Sequence, residues 1–154
     1  MKKINGAVKL TLFFVGMMLY ASTAFSQERL PVESITPEWT FYKEVKGVKF
    51  YLKEEKAVVI TGQQPLTFVL VRLENTNSKP VKLLYNLAAH YNEGCVNCGN
   101  SQEARKLVEI PANQSVEGRY DSGNCPTSVL VYNPNNKLSW KPVAIAIENL
   151  VINF

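Results

Sequence analysis

A two-residue hydrophobic rhythm constrains this chain most, and almost no helical pattern competes with it. In Gly47-Val48-Lys49-Phe50-Tyr51-Leu52-Lys53, one face carries Val48, Phe50 and Leu52 and the other carries both lysines. Successive side chains of a strand point to opposite sides, so this alternation marks a half-buried strand. Similar runs lie at 39–45 (WTFYKEV, set off by Pro37), 57–61 (AVVIT), 65–74 (PLTFVLVRLE), 81–91 (VKLLYNLAAHY), 106–110, 115–120, 127–132 (TSVLVY) and 142–154 (PVAIAIENLVINF). The run 65–74 is the most apolar and is expected at the centre of a sheet. In 81–91, Val81, Leu83, Tyr85, Leu87, Ala89 and Tyr91 share a face, and Pro80 with its turn favours strand over helix there.

Turn chemistry separates the runs. The charged stretch Lys53-Glu54-Glu55-Lys56 reads as a turn, as do 75–80 (NTNSKP), 111–114 (PANQ), 121–126 and 133–137. A polar loop spans 92 to about 102, where Ser101 is placed to cap one helical turn through Arg105. Strands at a spacing of roughly 8–12 residues predict an antiparallel sandwich or barrel. A parallel sheet needs crossover helices, for which the chain has no room. The expected fold is therefore an all-β antiparallel sandwich over 37–154, with 27–36 as an N-terminal leader.

Two segments resemble bacterial immunoglobulin-like modules. Residues 68–83, FVLVRLENTNSKPVKL, look like their strand–turn–strand with Asn-Thr-Asn at the turn, and 109–116, EIPANQSV, look like the lead into a later strand. The likeness runs over about 37–154 and is similar to small exported bacterial proteins of no assigned function. It implies an immunoglobulin-like β-sandwich and no particular activity. The inter-sheet disulfide and core tryptophan of antibody domains are not recognisable, so nothing antibody-like carries over.

Residues 1–26 fit an export signal. Lys2 and Lys3 precede an apolar stretch at 10–20 (LTLFFVGMMLY) and a small-residue zone at 21–26, with cleavage expected after Ser26 and, as the competing site, after Ala24. The apolar run falls short of the roughly 20 residues a membrane-spanning helix needs. No cysteine lies in the cleavage zone to carry a lipid anchor. Of 17 basic and 13 acidic side chains, Lys2, Lys3 and Lys9 belong to this segment, leaving 14 against 13 in the rest. Such a balance, evenly interspersed, gives no footprint for nucleic acid. The expected location is the periplasm, or the cell surface and extracellular space.

All three cysteines, Cys95, Cys98 and Cys125, lie in the exported part, where disulfides persist. One bridge is expected, either Cys95–Cys98 or one of these with Cys125, and the spacing does not choose between them. A redox role for Cys95-Val96-Asn97-Cys98 lacks the βαβ setting that thioredoxin-like chemistry uses. A zinc site from His90, Cys95, Cys98 and Cys125 has a complete set of four ligands. Against it, His90 shares a strand face with Lys82, Asn86 and Asn92, and is expected to be exposed there.

Hydrolytic chemistry finds little support. No G-x-S-x-G elbow occurs, and pairing Glu93, Glu109 or Glu148 as catalytic carboxylates has no pattern behind it. Binding has better candidates in outward Tyr51, in Trp140 beside an Asn-rich loop, and in Asn97 within the cysteine loop. The favoured expectation for Trp39 and Trp140 is nevertheless that they cover the ends of the core. An outer-membrane barrel, suggested by terminal Phe154, needs longer strands and a lipid-facing apolar band. The expectation is a non-catalytic binding or structural module without a cofactor. It would present the cysteine loop to a protein or a cell-surface glycan.

Overall fold

The computed structural model describes residues 28–99, 102, 104–120, 127–135 and 141–154. The export segment 1–26, Ser101, Cys125 and Trp140 lie outside the described residues. Among the described residues the chain forms β1 (Arg29–Pro31), a 3₁₀ turn (Val32–Ser34), β2 (Thr40–Val45), β3 (Val48–Ala57), β4 (Leu66–Asn75), β5 (Val81–Tyr91), β6 (Gly94–Val96), β7 (Arg105–Ile110), β8 (Ser115–Glu117), β9 (Ser128–Tyr132) and β10 (Pro142–Asn153).

All pairings are antiparallel and make two sheets packed as a sandwich. In the first sheet the order is β1-β10-β5, and the far edge of β5 is divided between β7, along Val81–Asn86, and β6, along Ala89–Tyr91. In the second the order is β2-β3-β4, and the far edge of β4 is divided between β8 and β9. The expected alternation places the core. Phe50, Leu52, Val69, Val71 and Leu73 from the second sheet meet Leu83, Tyr85, Leu87, Ile110 and Ile145 from the first in one cluster, all fully buried. Each such side chain contributes about 1.5–3 kcal/mol through loss of apolar surface from water.

Four local expectations are corrected. Residues 29–35 of the expected leader are part of the sandwich, because β1 pairs with Ala144–Ala146 and Ile35 sits in the core. The charged stretch 53–56 is strand rather than turn, since β3 runs on to Ala57 opposite Leu66. Its charges are accommodated at the rim by neighbouring ion pairs, Lys53–Glu55 at 2.8 Å and Lys56–Glu54 at 3.5 Å. Consequently Val58, Val59 and Ile60, expected in a strand, are exposed in the loop that follows. Within the polar cysteine loop, Gly94–Val96 forms a strand.

One end of the sandwich is organised by the Asn75-Thr76-Asn77 turn. Asn75 is buried, and its Nδ2 lies 2.8, 3.3 and 3.0 Å from the carbonyls of Lys79, Ile110 and Pro111. Asn77 donates through Nδ2 to Lys46 O, and Thr76 donates through its backbone N–H and hydroxyl to Gly47 O. Gly47 is required by this packing: its φ is +72°, and a Cβ there would lie 2.6 Å from Asn77 Oδ1. Asn75→Ala leaves buried carbonyls without their donor, and each such loss costs about 1–3 kcal/mol. We expect a total loss of about 2–4 kcal/mol in urea unfolding; a loss within the error of the wild type counts against the corner as a structural hub.

Titration at the sandwich margin gives a second expectation. Burial raises the phenols of Tyr42 and Tyr91, whose hydroxyls donate to the carbonyls of Glu28 and Val131. As pH climbs past about 10 the unfolded chain releases these protons first. The folded state then holds more protons, so stability falls with rising pH. Lys43, lowered by burial, contributes in the opposite sense as pH rises toward the ordinary lysine value. Denaturant stability measured from pH 9 upward should decline less steeply in Tyr91→Phe than in the wild type; identical slopes refute the assignment.

Candidate functional site

The outer face of the first sheet carries a second, polar layer. Along β5, Asn86, Ala88 and His90 point away from the core, opposite Glu148, Ala146 and Ala144 of β10. The central Ala88–Ala146 pair leaves a shallow floor, since neither side chain rises far above the sheet. Across it His90 and Glu148 meet, with Nε2 3.1 Å from Oε1. Asn86, Ala88 and Ala146 are fully buried, His90 is 9% exposed and Glu148 is 4% exposed. The expectation of an exposed His90 is thus corrected: the 94–99 segment lies over this face.

Several polar contacts anchor that segment. Asn86 Nδ2 donates to Asn97 O and Gly99 O, each at 3.2 Å, and Asn149 Nδ2 donates to Gly99 O at 2.7 Å. The Gly99 N–H donates to Glu148 Oε2 at 3.4 Å. Asn97 Nδ2 donates at 3.3 Å to Leu87 O, which lies in the gap between the parts of β5 paired with β7 and β6. Asn97 and Asn149 have φ of 63° and 52°, the left-handed region that asparagine tolerates better than most residues. Asn149 sits where β10 bulges between Glu148 and Val151, and the bulge turns it toward the loop.

Cys95 and Cys98 are joined as a disulfide, their Cα atoms 5.9 Å apart and within the usual range for a bridge. Cys95 faces His90 directly across the β5–β6 pairing. Cys98 Sγ lies 3.7 Å from His90 Nε2 and 3.9 Å from Nδ1. The ligating atoms of His90, Cys95 and Cys98 all fall within 4.8 Å of one another. The Glu148 carboxylate lies at hydrogen-bond distance from Nε2, and a proton held on that nitrogen alone would leave Nδ1 as a donor atom. Of the four residues considered for zinc, three converge, and Cys125 lies outside the described residues.

The aromatic candidate Tyr51 is elsewhere, on the outer face of the second sheet. Its ring packs edge-on against Phe41 at 5.7 Å, Arg72 lies 5.6 Å from the ring centre, and its hydroxyl donates to Glu74 at 3.4 Å. Trp39 is half-buried with the Lys53 ammonium 5.2 Å over its ring. The structure does not bring Tyr51 and Asn97 into one site. The residues not singled out from sequence were Asn86, Asn149 and the two alanines. Their signal was a parity match: Asn86, Ala88 and His90 share one strand face, and Ala144, Ala146 and Glu148 share another.

Filling the floor should undo the arrangement. Ala146→Leu is expected to part His90 from Glu148 and cost about 1–3 kcal/mol by overpacking. Backbone amide exchange at 94–99 should quicken; unchanged protection there means the loop does not depend on the alanine floor.

No protein-family model matches this chain, and no curated protein matches it. Among solved structures it is similar to the Salmonella enterica trimeric lipoprotein SadB, at 15% identity over 94% of this chain and 72% of that one, with a TM-score of 0.33. A likeness at that score carries no argument about fold, assembly or function.

Proposed function

We propose that this chain is an exported, non-catalytic, immunoglobulin-like binding module that presents its cysteine loop to a partner. Export rests on the tripartite pattern of residues 1–26, and a bridged Cys95–Cys98 pair suits the oxidising compartment beyond the membrane. The observation that carries the reading is the combination at β6. Gly94, Cys95 and Val96 are all exposed, yet the segment is fixed by a disulfide and by the Asn86, Asn97, Asn149 and Glu148 contacts. A loop fixed in this way loses little conformational freedom on binding, which favours recognition.

Val96, 41% exposed, and the outer backbone of β6 suit an extended protein segment better than a sugar ring. Among the described residues no strand occupies that outer edge. A cell-surface glycan is the alternative partner. A photocrosslinking residue at position 96 in the native compartment should give one recurrent protein adduct. The same residue at position 79, in the turn before β5, should not. The adduct should vanish when Cys95 and Cys98 are both changed to serine. No adduct from position 96, or equal adducts from both positions, refutes a protein partner at this loop.

A second reading, in which the cysteines work through metal or thiol chemistry, is favoured by the convergence of His90, Cys95 and Cys98. Its sequence form was a Cys3His zinc site including Cys125, or a redox pair. Intact mass with and without reduction and alkylation, in native and denaturing conditions, separates the two readings. A bridged chain without metal supports the binding module, and a native chain retaining zinc with alkylatable thiols supports the second.

A further inference from the structure

We infer that the bridge masks a metal site. Once it is reduced, Cys95, Cys98 and His90 Nδ1 form a three-ligand site for a zinc-class cation, with Glu148 as the residue that positions His90. The inference recasts the second reading above, since the native bridged chain is expected to hold no metal until it is reduced, and it is independent of the exposed edge proposed to meet a partner.

Three observations converge on it. The two sulfurs and the imidazole already lie within 4.8 Å of one another, so little backbone movement is needed to place them round one ion. Two thiolates with an imidazole are a donor set suited to zinc, and three protein ligands leave a fourth position for water or another group. Glu148 accepts from His90 Nε2 at 3.1 Å while also taking the Gly99 N–H, the arrangement that fixes a ligating histidine's tautomer and ring plane. Glu148 is 4% exposed and sits above an alanine floor, so it is held in place rather than free to wander.

The chemistry balances with an external dithiol as reductant. The dithiol gives two electrons and two protons to the Cys95–Cys98 bond, which breaks to two thiols, and the dithiol itself becomes a disulfide. Zinc then displaces both thiol protons and forms two Zn–S bonds and one Zn–N bond. An external disulfide reverses the sequence: it takes two electrons from the two thiolates and two protons from solvent to become a dithiol, and the ion is expelled as the Cys95–Cys98 bond re-forms. Cys95 is exposed and Cys98 half-buried against His90, so an incoming thiolate reaches Cys95 first and Cys98 is the leaving sulfur.

The test uses the mature chain, reduced with a non-chelating phosphine and titrated with Zn²⁺ alone against a chromophoric chelator. We expect one zinc per reduced chain and none per oxidised chain, with Cys95 and Cys98 protected from alkylation by bound metal. Glu148→Gln should weaken binding about 10–100-fold while keeping the stoichiometry. His90→Ala should weaken it more than Glu148→Gln does. Cobalt added to the reduced wild type supplies a readout that does not depend on any variant folding: it should show a thiolate charge-transfer band and tetrahedral d–d spectrum. Equal zinc binding by oxidised and reduced chains overturns the proposal. So do unprotected Cys95 and Cys98, an octahedral cobalt spectrum without thiolate character, or undiminished affinity in a folded His90→Ala chain. Failure here leaves the position-96 crosslink unaffected, so the two ideas fall separately.

Discussion

The side-chain amide of Asn75 has two hydrogens and three carbonyls in reach, from Lys79, Ile110 and Pro111. Those carbonyls belong to the turn entering β5 and to the end of β7, whereas Asn75 itself ends β4, so one buried side chain ties the second sheet to the first. An apolar core is non-directional and would tolerate sliding of one sheet over the other. A buried amide is not tolerant in this way, because a shift of one residue would leave its donors or their acceptors unpaired in a dry site. The corner thus fixes how the sheets meet. With that fixed, β5 is held in the register that sets His90, Ala88 and Asn86 on the outer face opposite β10.

How much of this was legible in the sequence follows from what each signal encodes. Alternation at 47–53 reports burial on one face, and the structure has Val48, Phe50 and Leu52 there as expected, while the apolar run 65–74 lies inside its sheet with strands on both sides. The Asn-Thr-Asn turn was visible as turn chemistry, but its long-range partners at Gly47, Ile110 and Pro111 are not a local property. Lys53–Lys56 resemble a boundary because charges are common in turns, while a strand rim can carry charges that pair beside one another. The triplet Val58-Val59-Ile60 is the complementary case, since β-branched residues look like strand whether or not a partner strand is present.

The polar layer was hidden for a different reason. Local sequence gave His90 the neighbours Lys82, Asn86 and Asn92, and a histidine in such company is ordinarily solvated. What buries it comes from Glu148, fifty-eight residues along the chain, and from a loop whose return over the sheet depends on left-handed asparagines at 97 and 149. Alanines at 88 and 146 carry no signal of their own in the sequence, yet their small size is what admits the His90–Glu148 contact. The convergence of His90 with both cysteines is therefore a property of the fold.

Each central strand shares its far edge between two shorter strands, β6 and β7 on β5, β8 and β9 on β4. At the opposite edges stand β1, only three residues long and ending at Pro31, and β2, kinked between Phe41 and Lys43. Among the described residues, no margin of the sandwich therefore offers a long, straight row of unpaired amides. Interrupted edges of this kind are poor templates for intermolecular sheet growth. At high concentration, the fold would resist polymerising with copies of itself through its edges.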